Sequence, residues 1–352
     1  MTLTERKDAF VSLGKFLEQF VEEQPVKSDD IPLNDLFYDG MLHQLKLSEE
    51  HNAWFTRDNI RFALNSWSTA LTEENLNAWL SRYDIPEREP KKVAVIMAGN
   101  IPLVGFHDFL SVLISGHEVL VKQSSKDKQL LPYLAKYLEY TEPRLKGKIT
   151  FTEEKLEGFD AIIATGSDNT ARYFEYYFKN KPHIIRHNRN SVAVLTGDET
   201  REQLEALFHD IFRYYGLGCR NVSKLFVPEG YDFDAFFNAI YSWHSLVDKQ
   251  KYANNYDYNK AVYLMSEFNI LDNGFFMLKE DASYSSPIAT AFYEVYKDAG
   301  ALKTKLKNDA SRIQCVVSSG FTENEIPFGE SQNPQLWDYA DNVDVVSFLL
   351  KI

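Results

Sequence analysis

Residues 93–125 read VAVIMAGNIPLVGFHDFLSVLISGHEVLVKQSS, and this stretch decides the fold. Val93–Ala98 is an unbroken apolar run. Gly99-Asn100-Ile101-Pro102-Leu103 is a turn. A helix then runs through Leu113, and Glu118–Lys122 is a second apolar run. A buried strand, a turn, a helix and another buried strand form a βαβ unit, which implies a parallel sheet. Lys122, Ser124 and Ser125 stand at the carboxyl end of the second strand, where open α/β sheets bind their ligands.

Downstream the alternation continues. A helix spans Leu130–Tyr140, a short strand Ile149–Phe151, and a further strand runs from Asp160 into Thr165-Gly166-Ser167. That strand feeds a helix over Asp168–Phe178. A Gly-Ser turn at a helix N-terminus serves as an N-cap or as an anion site, because its N–H groups and the helix dipole point outward. Neither GxGxxG nor a Walker A sequence occurs, so a generic dinucleotide or P-loop signature is absent. Arg186-His187-Asn188-Arg189-Asn190 is a polar knot that runs into another strand. The helix Glu202–Tyr215 carries Leu204, Leu207, Phe208, Ile211 and Phe212 on one face.

That helix delivers Gly218-Cys219, followed by the strand Lys224–Pro228. Glycines let the backbone turn sharply and leave space above the sulfur, so Cys219 is either an accessible thiol or a small buried hydrophobe. An aromatic segment (Phe233–Val247), a polar stretch rich in Asn and Tyr (Tyr252–Tyr258) and mixed sequence follow. Cys315 lies within the strand Ser311–Ser319 and reads as core. The tail holds Pro327-Phe328-Gly329-Glu330-Ser331-Gln332 and a terminal strand over Val343–Leu350.

Upstream, residues 1–90 read as helical, with Phe10, Leu13, Leu17, Phe20 and Val21 at helical spacing and further helices at 52–66 and 71–83. The charged, proline-bounded stretch 84–92 marks a boundary. The chain has 352 residues, 44% hydrophobic and 14% aromatic, enough for a large core in about two domains. A net charge of -13 argues against a nucleic-acid partner. Two cysteines cannot build a disulfide framework, the N-terminus is polar rather than signal-like, and no apolar run reaches the ~20 residues of a membrane span. The expectation is a soluble cytoplasmic protein.

Taken in order from Val93, these pieces resemble the aldehyde dehydrogenase superfamily, and more narrowly the LuxC-type acyl-CoA reductases. Gly99-Asn100-Ile101-Pro102 is similar to the superfamily's N-x-P turn, which implies Asn100 as an oxyanion donor. Val121-Lys122-Gln123-Ser124-Ser125 resembles the segment that holds the adenosine ribose. Serine at 125, where NAD-preferring members often carry Glu, implies NADPH. Thr165-Gly166-Ser167 resembles the turn near the cofactor pyrophosphate. Gly218-Cys219 matches the nucleophile position, and Pro327-Phe328-Gly329 the P-F-G-G loop. The superfamily's glutamate that activates water has no counterpart in the knot 186–190, so a thioacyl-enzyme should resist hydrolysis.

The resemblance implies a three-layer α/β fold in four parts. Residues 1–90 are a helical region packed on a Rossmann-like NADP domain (91–197). A catalytic domain (198–326) carries Cys219, and 327–352 returns as a segment whose strand is a candidate for oligomer pairing. The implied reaction is NADPH-dependent reduction of an acyl thioester to an aldehyde. Cys219 and Asn100 are catalytic. Lys122, Ser124, Ser125, Thr165, Gly166 and Ser167 hold the cofactor, and no metal is involved. The acyl donor is coenzyme A, a carrier or a partner protein, and the chain is a candidate homo-oligomer. Two alternatives stay open. One is a dehydrogenase working toward the acid, with His187 or water as base. The other is a non-catalytic binder of acyl chains or of a partner.

Overall fold

Four helices precede the first strand in this computed structural model, which describes residues 1–352 with the side chain of Asp168 left aside. They are α1 (Leu3–Glu18), α2 (Asn34–His51), α3 (Arg57–Ala70) and α4 (Glu73–Leu80). Threonine hydroxyls at Thr2, Thr56 and Thr72 accept N–H groups of the first turns of α1, α3 and α4. Helix α2 has no such cap and starts from Leu33 in a left-handed conformation. The missing cap leaves its start unmarked in the sequence, although Phe37, Tyr38, Met41 and Leu45 keep helical spacing.

The core sheet follows: β1 (Lys92–Ile96), α5 (Phe106–Ile114), β2 (Glu118–Lys122), α6 (Leu130–Thr141), β3 (Ile149–Phe151), β4 (Ala161–Thr165), α7 (Asp168–Phe178) and β5 (His183–Arg186). All strand pairs are parallel, in the order β3-β2-β1-β4-β5. The order reverses direction at β1/β4, and it is at the carboxyl edge of such a switch point that open α/β sheets bind ligands. The apolar face of α1 packs on α6, with Phe16 stacked on Tyr137 at 4.2 Å between ring centres.

The second sheet contains β6 (Asn190–Val194), α8 (Arg201–Phe212), β7 (Val222–Pro228), α9 (Phe233–Ile240), α10 (Gln250–Met265), β8 (Ile270–Asp272), β9 (Met277–Glu280), β10 (Thr290–Tyr296), α11 (Ala299–Asn308) and β11 (Ile313–Val317). Its order is β11-β6-β7-β10-β9-β8, with β8 antiparallel at the edge. The polar Asn/Tyr stretch is the middle of α10. Its buried face is made of tyrosines (Tyr252, Tyr256 and Tyr263), which hides the usual apolar periodicity.

The compact units divide as Met1–His187 with Gln335–Ile352, and Asn188–Pro334. The first boundary falls ten residues before the expected 197/198, because β6 pairs with β7 and β11. The tail differs from expectation too. Val345–Leu349 is a helix, α12, not a terminal strand. Asp344 caps it, and Val345, Val346 and Leu349 point into the first unit's core. Spacing of one and four residues suits a helical face, whereas a strand would alternate. Val345–Leu349 therefore offers no strand for oligomer pairing. Among the described residues no helix is long and apolar enough to cross a membrane, and no group of three or more potential metal ligands gathers.

Candidate active site

In the first unit, parallel register aligns Lys122, Ile96, Ala164 and Ile185 in one row across the sheet. Residues just beyond that row therefore share one edge: Met97–Asn100, Gln123–Ser125 and Thr165–Ser167. The first-unit positions singled out from sequence are brought together there. The Met97 N–H donates to the Lys122 carbonyl at 3.0 Å. A Cβ on Gly99 would lie 2.7 Å from Ser124 Cβ, so the two strand-end turns touch and only glycine fits. Beyond Asn100 the chain turns through Leu103 at φ 57, whose N–H donates to Asp127 Oδ2 at 3.0 Å. Asp127 is buried, and desolvation pushes its carboxyl up to about 6 against the opposing pull of that hydrogen bond.

Lys122 Nζ donates to the Glu154 carbonyl at 2.8 Å. An ammonium has three donors, so this bond does not exhaust it. Ser124 Oγ accepts the Lys126 N–H at 3.3 Å, and Ser125 and Lys126 are exposed. Ser167 Oγ accepts the Thr170 N–H at 3.4 Å and so acts as N-cap of α7. A Cβ on Gly166 would meet Thr170 Cβ at 3.0 Å. Two ammonium groups, several hydroxyls and a capped helix N-terminus along one strand edge are a donor set suited to an anionic dinucleotide.

The polar knot has another job. Arg186 Nη2 donates to Asp108 Oδ1 of α5 at 2.7 Å, and Nη1 bonds the other oxygen. Both residues are buried, so this bidentate pair fastens the end of β5 over α5. His187 Nε2 lies 3.0 Å from Glu175 Oε1 on α7, at the surface.

In the second unit, Cys219 is exposed in the turn between α8 and β7. Helix α8 stops at Phe212, short of the expected Tyr215, because Tyr214 and Tyr215 take left-handed φ values of 55 and 58. That conformation is costly for side chains of this size and is sustained here by burial of both rings. Asn221, 2% exposed, then staples the turn. Its Oδ1 accepts the Gly218 N–H at 2.8 Å, and its Nδ2 donates to the carbonyls of Asp210 (3.0 Å), Ile211 (3.3 Å) and Arg213 (2.8 Å). One side chain thus caps the end of α8 and holds the residue before Cys219. Ser191 of β6 donates to the Cys219 carbonyl at 2.9 Å, which leaves the Cys315 thiol to donate to Ser191 Oγ at 2.9 Å. Burial pushes the Cys315 thiol up to about 11, as befits a core cysteine. Lys224 is wholly buried, bonded to the Asp281 carbonyl and 3.3 Å from Glu294 Oε2. Asn221 and Ser191 escape a reading of the sequence. An Asn two residues after a cysteine looks like any turn residue until the helix end is in view.

A family model for acyl-CoA reductase (LuxC) matches residues 27–276. A long-chain acyl-protein thioester reductase from Aliivibrio fischeri is 25% identical over 232 residues, which cover 58% of this chain and 47% of that protein. The chain thus spans about half the length of this curated relative. Among solved structures, aldehyde dehydrogenase 21 from Physcomitrella patens is similar with a TM-score of 0.65 at 12% identity, over 100% of this chain and 84% of that one. An NAD-dependent benzaldehyde dehydrogenase from Corynebacterium glutamicum gives 0.64 at 13%, over 90% and 76% of the two chains. An aldehyde dehydrogenase from Bacillus cereus, solved with NAD+, gives 0.60 at 14%, over 90% and 72%. At these identities the likeness establishes an aldehyde-dehydrogenase-like α/β fold. With the family model matching well over half its length, the chain belongs to the acyl-CoA reductase (LuxC) family.

Proposed function

We propose that this chain reduces an acyl thioester to an aldehyde with NADPH, by way of an acyl group carried on Cys219. The observation that carries the reading is the exposed cysteine in a turn whose neighbours are fixed by Asn221 and Ser191. A thiolate is a strong nucleophile even when it is a minor population near neutral pH. Attack by Cys219 Sγ on the thioester carbon forms a new C–S bond and breaks the old one. The released thiol of the donor takes up a proton. A nicotinamide held at the first unit's strand edge would supply two electrons as hydride. With one proton they release the aldehyde and return Cys219 to its thiol. The Asn100 amide, with the Cys219 backbone N–H, is the proposed donor to the carbonyl oxygen as charge develops on it.

Lys122, Ser124, Ser125, Thr165, Gly166 and Ser167 are the proposed cofactor contacts. Ser125 beside Lys126, with no carboxylate at either position, supports a 2′-phosphate and hence NADPH. The Arg186–Asn190 knot holds no carboxylate, and its histidine is engaged by Glu175. This supports retention of the acyl group for reduction or transfer over loss to water. The acyl donor is proposed to be coenzyme A or an acyl-bearing partner protein.

The test is mass spectrometry of the protein after exposure to coenzyme A thioesters from acetyl to hexadecanoyl. An acyl mass confined to the Cys219 peptide is expected, with aldehyde appearing once NADPH is added. Acid formed from aldehyde with no need for coenzyme A would defeat the reading. So would equal thioester-driven NADPH oxidation in Cys219→Ala.

A further inference from the structure

Pro327–Ser331 and the Cys219 turn are far apart in sequence, yet one residue holds both. Asp210 lies in the last turn of α8, and its side chain is wholly buried. Its Oδ2 accepts the Gly329 N–H at 2.7 Å, and its Oδ1 accepts the Ser331 N–H at 2.8 Å. Two backbone donors converging on one carboxylate make a latch. The loop can come this close only because Gly329 has φ +90 and lacks a Cβ, which would otherwise meet Ala206 Cβ one turn earlier on α8 at 3.2 Å. The main-chain oxygen of the same Asp210 accepts from Asn221 Nδ2, and Asn221 Oδ1 accepts from Gly218.

We propose that Asp210 and Asn221 form a positioning relay, by which the 327–331 segment and the cysteine turn are held in register through the end of α8. The path is continuous: Gly329 and Ser331 to the Asp210 carboxylate, Asp210 carbonyl to Asn221, and Asn221 to Gly218 beside Cys219. Both side chains are buried, and both act through the backbone they hold. The arrangement is energetically demanding. Desolvation pushes the Asp210 carboxyl up to about 6, the two N–H donors pull it down, and the nearby Glu330 charge adds to the rise. A buried carboxylate that accepts two backbone N–H groups has a specific holding role, because an apolar side chain in its place would leave both donors unpaired. The relay rests on the reading of Cys219 as the acyl-bearing nucleophile.

The experiment compares Asp210→Asn, Asn221→Ala and the double variant in two rates. One is acylation of Cys219 by the coenzyme A thioester that the wild type takes most readily. The other is alkylation of Cys219 by iodoacetamide. Acylation needs the thiol aligned with a bulky, oriented carbonyl, whereas alkylation needs only an accessible sulfur. Each single variant is expected to slow acylation by ~10- to 100-fold, as misplacement of a reacting group does. Alkylation should stay near the wild-type rate, and the double variant should be no slower than the slower single. Single variants that acylate at the wild-type rate would overturn the relay. So would effects that multiply in the double variant as independent sites do, or alkylation falling in step with acylation. If the variants do not fold, hydrogen exchange in the wild type decides. Slow exchange at the Gly218, Gly329 and Ser331 amides is expected, and rapid exchange at any of them removes the relay. A wild type that alkylates but never acylates at Cys219 instead sinks the underlying functional reading, and that result is visible without any variant.

Discussion

Asp127→Asn should make the protein more stable, and by an amount that depends on pH. Asp127 is 8% exposed and its carboxyl is raised from 3.8 to about 6 by burial. Above pH ~6 the group is ionised in both the native and the unfolded chain, and the native state bears the whole desolvation penalty. A rise from 3.8 to about 6 corresponds to about 3 kcal/mol of lost stability. Between pH ~6 and ~4 the native carboxyl takes up its proton before the unfolded one does, so the penalty fades as pH falls. Asparagine keeps an oxygen to accept the Leu103 N–H and cannot ionise. The variant's advantage over wild type should therefore be about 3 kcal/mol at pH 7.5 and about half that at pH 5. Urea unfolding followed by tryptophan fluorescence is the assay. Four of the five tryptophans (Trp54, Trp67, Trp79 and Trp337) lie in the same unit as Asp127, so the signal reports mainly that unit. Asp210 titrates alike in both proteins and cancels. A stability difference that is flat between pH 5 and 7.5, or one that grows as pH falls, would refute burial as the cause of the raised carboxyl.

Other outcomes follow from the same geometry. Asp108→Ala leaves the Arg186 guanidinium buried without its bidentate partner and should cost about 3–5 kcal/mol, read as a lowered urea midpoint. Ser125→Glu places a carboxylate beside the proposed 2′-phosphate. It should lower NADPH affinity by roughly tenfold or more while sparing NADH, measured as separate binding isotherms. Gly99→Ala forces its Cβ against Ser124 at 2.7 Å; about 1–3 kcal/mol of strain is expected, together with weaker dinucleotide binding. At pH 8 iodoacetamide should label Cys219 alone in the folded chain and both cysteines in urea, because burial raises the Cys315 thiol to about 11.

The parallel strands were legible because both faces of a doubly covered sheet are dry, which writes runs such as Val93–Ile96 and Val119–Val121 with almost no polar interruption. The turns at the carboxyl ends of β1 and β4 were legible because Gly99 and Gly166 are chemically distinctive there, as Gly218 is in the turn before β7. Three features stayed hidden. Helix α10 buries tyrosines whose hydroxyls are satisfied internally: Tyr252 donates to the Phe275 carbonyl and Tyr256 to Asp272. A polar-looking sequence thus supplies a dry face. Helix α8 carries on in periodicity to Tyr215, but Tyr214 and Tyr215 leave helical geometry to bury their rings. Asn221 joins groups ten and eleven positions away, and a spacing rule for the cysteine alone has no access to that contact.

The tail has a consequence for the order in which the molecule can be made. Trp79 Nε1 donates to the Tyr339 hydroxyl at 2.7 Å, and Tyr83 bridges Tyr339 and Asp344 at 2.7 and 2.9 Å. Leu336, Val345, Val346 and Leu349 complete the same core as Phe106 and Leu110. On the ribosome, the first unit must wait for residues 336–349, while 188–334 can already be folding behind it. During that interval the α5 residues destined to meet the tail remain uncovered. The time taken to translate from α5 to residue 349, much of it spent on 188–334, therefore sets how long a nascent chain exposes a sticky surface. Emergence of that short segment, rather than of the first sheet, is the event that ends its exposure to chaperones and to aggregation.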